Sequence, residues 1–581
     1  MHCRPIVFLA VLALPVLACG ATPSPSPLPP LPGPTTAIET PRTEAPTPPL
    51  APAIDASAVR AAGISARIRF LSDDLLEGRF TGSRGHAIAE RYVASELALM
   101  GAEPGGEAGT FLQAVPMRGV MKDPAKTSLV VRSRGKADTV LKAEEDFVLA
   151  SDMRTAKVDI EAPLVFAGFG VTAPEYGYDD LAGLDLKNKI AVVFSGAPLS
   201  DKDDYFPPIA HAVYSDGREK VLRLAARGAA GMITVFRPED EERLPWPRVV
   251  KQQRIEQMTW LKNGEPGTSA QGVTLRGLLY WKAFDAILAR AGGGRDTAAL
   301  SAAVDKRTLK GFDIPVSLHG KAAVKLRDLE SHNVVGILRG SDPRLAGEYV
   351  VYSAHLDHLG IGAPIDGDSI YNGALDNASG TAAILEIARA YSMLPKRPAR
   401  SILFLSCTGE ERGLLGSDYF ARFPTVPAGS IVADFNDDMV LALGPVHDVV
   451  ALGAEHSSLG PLVQTAAASL GLTTSLDPEP KQVHFVRSDQ YSFVKRGIPS
   501  VVVEAGLKDA EGHTEAYAAK RKAWIGTRYH SPQDQWDPGY DYDGMAQVAR
   551  VELLAGFAVA NAPERPAWVK DDVLERRFGR R

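Results

Sequence analysis

Cysteine is nearly missing from this chain: Cys3, Cys19 and Cys407 are all that 581 residues contain. Two of the three fall within the first nineteen residues, so the body keeps one thiol and no internal disulfide framework can hold it together. A basic excess is missing too. Lys and Arg number 64 against 70 Asp and Glu, a formal charge of −6, which excludes the cationic footprint that draws proteins to nucleic acid or to anionic lipid. The amino-terminal apolar run, residues 6–17, is shorter than the about 20 residues a spanning helix needs. Stability must therefore come from core packing. A chain of this length is too long for one core, and two or three domains are expected.

What is present begins with a leader. His2 and Arg4 precede the apolar run and Ala18-Cys19-Gly20 follows it, the layout of an export signal over residues 1–19. Val16-Leu17-Ala18-Cys19 resembles a bacterial lipobox, which would leave Cys19 as a lipidated amino terminus anchored at the cell envelope. An ordinary secretory signal cleaved nearby is the alternative. Residues 20–53 are rich in Pro, Thr, Ser and Ala, a composition expected to form a disordered, semi-rigid tether.

Globular patterning starts near residue 54. Ile68, Leu71 and Leu75, then Ile88, Tyr92, Val93, Leu97 and Leu99, recur at helical spacing and predict two helices joined by a Gly-rich loop. Glu77-Gly78-Arg79 and Thr81-Gly82-Ser83 lie in that loop, which reads as a turn before it reads as a substrate contact. Residues 155–325 read as a β-rich insertion, with strands at 164–169, 190–194 and 232–236 and a helix at 218–227. From 326 to 562 the pattern is α/β. Strands at 332–338, 349–354, 401–406, 431–435, 449–452 and 500–504 alternate with helices such as 378–394 and 459–470, predicting a mostly parallel sheet covered on both faces. Residues 54–154 and 326–562 would form one domain around the insertion. A charged, sparsely apolar tail, 563–581, follows.

The stretch VVYSAHLDHLGIGAPIDGDSIYNGALD, residues 350–376, organises the rest. A buried strand ends in His355, Asp357 and His358, and a loop then leads to Asp376, the place where open α/β sheets put their chemistry. Glu410-Glu411 follows a second apolar strand, Asp437-Asp438 closes a third, and Tyr529-His530 sits in a loop before Ser531-Pro532. Each has an ordinary explanation alone: His355 as a core histidine, Asp376-Asn377 as a helix cap, the glutamates as a solvated pair. Together, carboxylates and imidazoles at one sheet edge suit two divalent cations such as zinc. A paired-ion site activates water and holds a developing oxyanion, and a neighbouring carboxylate can move the proton. That chemistry is hydrolysis.

AHLDHLG at 354–360, GALDNASGTAAILEIAR at 373–389, GEERGLLGS at 409–417, NDDM at 436–439, SDQYSF and GIPS within 488–500 and RYHSPQD at 528–534 resemble, in order, the motifs of the di-zinc aminopeptidases related to aminopeptidase S and glutamate carboxypeptidase. EGRFTGSRG at 77–85 extends the likeness to the amino-terminal helices. The resemblance implies two Zn2+ per chain and peptide substrates. It puts His355, Asp376 and Asp438 on one ion and Asp376, Glu411 and His530 on the other, with Asp376 bridging. Glu410 would be the general base, Asp357 the carboxylate that orients the His355 imidazole, and Tyr529 a donor to the oxyanion or a packing tyrosine. His358 falls beside the cluster without being an expected ligand. His484, Ser488 and Asp489 resemble a segment on the substrate side. APLVFAGFGV, LKNKIAVVFSG and EKVLRLAARGAAGMITVF make the insertion resemble a protease-associated domain, a lid or access module in which histidines such as His211 are expected at the surface. Two other outcomes remain open on the same scaffold: a carboxypeptidase, and a non-catalytic binding protein of the transferrin receptor kind.

Overall fold

The computed structural model describes residues 54–200, 205–267 and 269–579. The leader and tether expected over 1–53, with Cys3 and Cys19, lie outside them. No described helix is long and apolar enough to cross a membrane.

Seven strands carry the architecture around the site: β1 (Leu112–Lys122), β2 (Phe312–Leu338), β3 (Tyr349–His355), β4 (Ser401–Cys407), β5 (Ile431–Asn436), β6 (Asp448–Leu452) and β7 (Ser500–Ala505). Their spatial order is β1-β2-β4-β3-β5-β7-β6, with the central four, β4, β3, β5 and β7, parallel and the flanking pairs antiparallel. Every residue of β3, β4 and β5 is buried. Alternate side chains explain how. Val350, Tyr352 and Ala354 enter the large core cluster on one face, whereas Tyr349 and Val351 enter a smaller cluster on the other, as the two-residue period of a strand requires.

Helices cover both faces. α1 (Ala61–Leu71), α2 (Arg84–Leu99), α3 (Ser379–Ser392), α5 (Leu459–Ser469) and α6 (Tyr542–Asn561) contribute to the larger cluster, and α4 (Leu415–Arg422) covers the other face. The fold is thus α/β with a largely parallel, doubly covered central sheet. At about 1.5–3 kcal/mol for each fully buried Val, Leu or Phe, these two clusters supply the rigidity on which the loops at the sheet's carboxyl edge rest.

The insertion forms a second mixed sheet with its own core of Phe147, Phe166, Phe194, Phe284 and neighbours. Its boundary differs from the sequence expectation. Ser128–Ser133 pairs with β2, and Phe147–Ser151 pairs with Leu275–Tyr280, so the strands before residue 155 belong to the insertion's sheet. The later boundary falls inside β2, which pairs with insertion strands over residues 312–323 and with β1 and β4 over residues 324–338. The carboxyl tail is also structured. α7 (Val573–Phe578) buries Leu574 completely against Val213, Phe485 and Tyr491, tying the tail to both units. His211, expected at the surface, is half-buried, with Nδ1 2.9 Å from the Ala197 carbonyl.

Candidate metal centre

The carboxyl ends of β3, β4 and β5 bring the expected residues together. β3 ends on His355, the turn after β4 delivers Glu410 and Glu411, and Asp438 follows β5 by two residues. Asp376 arrives on the loop before α3, which two side chains hold in place. Asp534 accepts from the amides of Leu375 and Asp376 at 2.9 and 3.0 Å. Asn377 caps α3 by accepting from the Gly380 amide at 2.8 Å, and its Nδ2 donates to the Asp437 carbonyl at 2.7 Å. The helix cap expected from sequence therefore exists, and it also fastens the Asp376 loop to the Asp438 loop. A Cβ at Gly380 would lie 2.2 Å from that carbonyl, so only glycine fits there.

Asp376 uses both oxygens. His355 Nε2 lies 3.3 Å from Asp376 Oδ1 and 3.3 Å from Asp438 Oδ1, while His530 Nε2 lies 3.0 Å from Asp376 Oδ2 and 3.4 Å from Glu411 Oε1. His355, Asp376, Glu411 and His530 are each at most 5% exposed. Burial disfavours a charged imidazole, yet Asp438 and Asp376 outweigh it and hold His355 well above the ordinary histidine range; Glu411 and Asp376 do the same to His530. Surroundings that draw positive charge onto two imidazoles this strongly suit divalent cations. The donor set fits the zinc expectation: imidazole nitrogen and carboxylate oxygen, in two groups sharing one carboxylate. Ligand atoms of His355, Asp376 and Asp438 lie within 4.8 Å of one another, as do those of His358, Asp376 and Glu411.

His358 is thus more than a bystander. Its Nδ1 lies 2.8 Å from Glu411 Oε1, and its ring meets the His530 ring edge-on at 5.7 Å. Neither nitrogen of this fully buried ring makes a well-formed hydrogen bond among the described residues.

Asp357 takes a different part from the one expected. It is the Asp357 backbone carbonyl, 3.1 Å from His355 Nδ1, that orients the imidazole. The carboxylate instead accepts from the Glu410 amide at 3.1 Å and the Thr81 hydroxyl at 2.9 Å. Glu410 itself is 9% exposed. Burial pushes its carboxyl well above the usual range, with Glu411, Asp438 and Asp489 adding to the rise and His355 opposing it. Tyr529 stacks on His530 at 3.8 Å, its hydroxyl pushed up by burial and by Asp376 and Glu411. Ser488 accepts from Asn436 at 3.3 Å, His484 faces Glu479 at 3.5 Å, and Asp489 is wholly buried and pushed up to about 6 by that burial. Behind the centre, Asp437 faces Glu552 on α6. Burial raises both carboxyls: Asp437 adds to the rise at Glu552, whereas at Asp437 the hydrogen bond with Glu552 opposes it and Asp438 adds to it, leaving Asp437 at about 7.

Residues 333–555 match Peptidase family M28. Over that segment the chain is similar to the M28 peptidases. Over 117 residues the chain is 38% identical to Aminopeptidase NAALADL1 of Mus musculus, a match spanning 19% of this chain and 13% of that protein. A 211-residue stretch is 29% identical to Leupeptin-inactivating enzyme 1 of Streptomyces exfoliatus, spanning 35% of this chain and 43% of that one. The chain thus matches less than half the length of either relative. Among solved structures, an aminopeptidase from Aneurinibacillus sp. strain AM-1 aligns over 89% of this chain and 97% of its own, at 20% identity and a TM-score of 0.46. The M28 segment contains His355, Asp376, Glu410, Glu411, Asp438 and His530, whereas Arg79 and Thr81 come from outside it, before the insertion.

Proposed function

We propose that this protein is a zinc-dependent aminopeptidase, exported and lipid-anchored through Cys19, that hydrolyses the amino-terminal peptide bond of peptides. The observation that carries the reading is Asp376 facing one histidine–carboxylate pair with each oxygen, beside the buried Glu410. His355, Asp376 and Asp438 would hold one zinc, and Asp376, Glu411 and His530 the other. When bound, such a pair polarises the scissile carbonyl and makes a nucleophile available at neutral pH.

The chain's own residues do the rest. Glu410, kept receptive to protons by its buried surroundings, accepts the proton of the attacking water and returns it to the departing amine. The Asp357 carboxylate fixes the Glu410 backbone, and the Tyr529 hydroxyl, with its proton retained by burial, can donate to the developing oxyanion. The insertion serves as a protease-associated access module. Its helix Pro208–Tyr214 packs on the segment carrying His484 and Phe485, which supports a part in shaping the substrate side.

Hydrolysis of amino-acid amides, measured with and without chelator, tests this. Glu410→Gln is expected to lower kcat by about 10²–10⁴-fold with zinc retained. Peptides blocked at the amino end are expected to resist while those blocked at the carboxyl end are cleaved. Activity indifferent to chelation and to Glu410 removes the reading.

A further inference from the structure

Arg79 lies beneath the centre, far from it in sequence. Its side chain is fully buried, among the largest in the protein to be so. The guanidinium makes four hydrogen bonds, all to backbone carbonyls: Nε to Leu356 at 2.9 Å, Nη1 to Asn372 at 2.7 Å and to Leu71, and Nη2 to Gly373 at 2.9 Å. Leu356 separates His355 from Asp357, and Gly373 stands three residues before Asp376. One rigid fork therefore joins the end of β3 to the loop that delivers the shared carboxylate. The backbone adds a fifth link, since the Arg79 carbonyl accepts from the His358 amide at 3.2 Å.

The local backbone is bent to make this possible. Glu77, Gly78 and Arg79 have φ of 50°, 65° and 47°, a left-handed run that is unfavourable at each non-glycine residue and persists only where the surroundings hold it. A Cβ at Gly78 would lie 2.3 Å from the Tyr371 carbonyl, so the turn is pressed against the strand leading into the Asp376 loop. The carboxylates of Asp534, Asp357, Asp376 and Glu411 act on the guanidinium, and against burial they keep Arg79 cationic, with a pKa of about 10.

We propose that Arg79 is a positioning residue of the metal centre, one that sets the spacing of His355 and Asp376 by clamping the carbonyls of Leu356, Asn372 and Gly373. This rests on the zinc reading above and adds to it a part of the site contributed from outside the M28 segment. Lysine keeps the charge but offers a single ammonium in place of the planar fork, and glutamine keeps neither charge nor reach.

The test compares wild type, Arg79→Lys and Arg79→Gln in the full chain, by zinc competition against a chromophoric chelator, by Tm with and without zinc, and by kcat and KM. Both variants are expected to fold, to bind zinc about 10–100-fold more weakly, and to show a smaller zinc-induced rise in Tm. With saturating zinc, kcat is expected to fall while KM holds. Zinc affinity within about twofold of wild type overturns the proposal. So does a Tm lowered equally with and without zinc, or failure of both variants to fold, because each assigns Arg79 to the scaffold alone. Wild type that binds no zinc removes the functional reading itself, an outcome separate from any of these.

Discussion

A carboxylate has two oxygens, and at Asp376 each faces a different histidine. Asp357 divides its labour further, giving its carbonyl to His355 and its carboxylate to the amide of Glu410 and the hydroxyl of Thr81. Asp357→Ala is therefore expected to leave zinc content near that of wild type while lowering kcat by about 10–100-fold, since the imidazole keeps its partner and the Glu410 backbone loses its anchor. Metal analysis beside steady-state kinetics checks this, and loss of zinc in step with activity would contradict it. His355, Asp376, Glu411, Asp438 and His530 were legible in the sequence because each is a chemistry-bearing side chain at a strand end or in a short motif. Arg79 was not. Three of its four partners are backbone carbonyls 277 to 294 residues away, and a carbonyl acceptor has no residue type to announce it. The part played by Asp357 was half legible, for sequence names the residue and not which of its oxygens is used.

Among the elements, β3, β4 and β5 were readable because burial on both faces demands unbroken apolar runs. The first two-thirds of β2 hid: only residues 332–338 read as a strand, because before them the exposure alternates and the unbroken apolar run is missing. α4 raises a different matter. Its Asp418 is 1% exposed, yet it gathers Arg218 at 2.6 Å and Trp260 at 2.8 Å from the insertion, and Arg422 and Lys495 at 3.0 and 3.9 Å from the M28 segment. Burial works against its charge, but these cations prevail and hold the carboxyl far below its usual range. The stabilisation is complete above the unfolded carboxylate value of about 4 and is lost as pH falls from there toward the depressed folded value. Asp418→Asn is expected to cost about 3–5 kcal/mol at neutral pH, as when one partner of a buried pair is removed. The variant should also lose less stability than wild type between about pH 4 and 2. Urea unfolding across that range measures both effects.

For the whole molecule, the joint between the two units matters more than either alone. Asp418 clasps one side of it. On the other, α7 sets Arg577 3.2 Å from Glu219 of the insertion and over the Tyr214 ring, and Asp572 receives His456 at 2.8 Å. The tail looked uninformative in sequence because its few apolar residues carry no periodicity, and their value depends on what they meet. The 27 residues of β2, a contour of roughly 90 Å at about 3.3 Å per residue, then run through both sheets. Neither sheet can come apart without stripping hydrogen bonds from the strand that it shares with the other. Heating is accordingly expected to give one calorimetric peak, with van't Hoff and calorimetric enthalpies in agreement, and two resolved peaks would show that the strand does not couple the units. The insertion is consequently not a detachable module: a recombinant piece ending at residue 325 would sever the ladder midway and leave both fragments with a raw, unpaired edge prone to sticking.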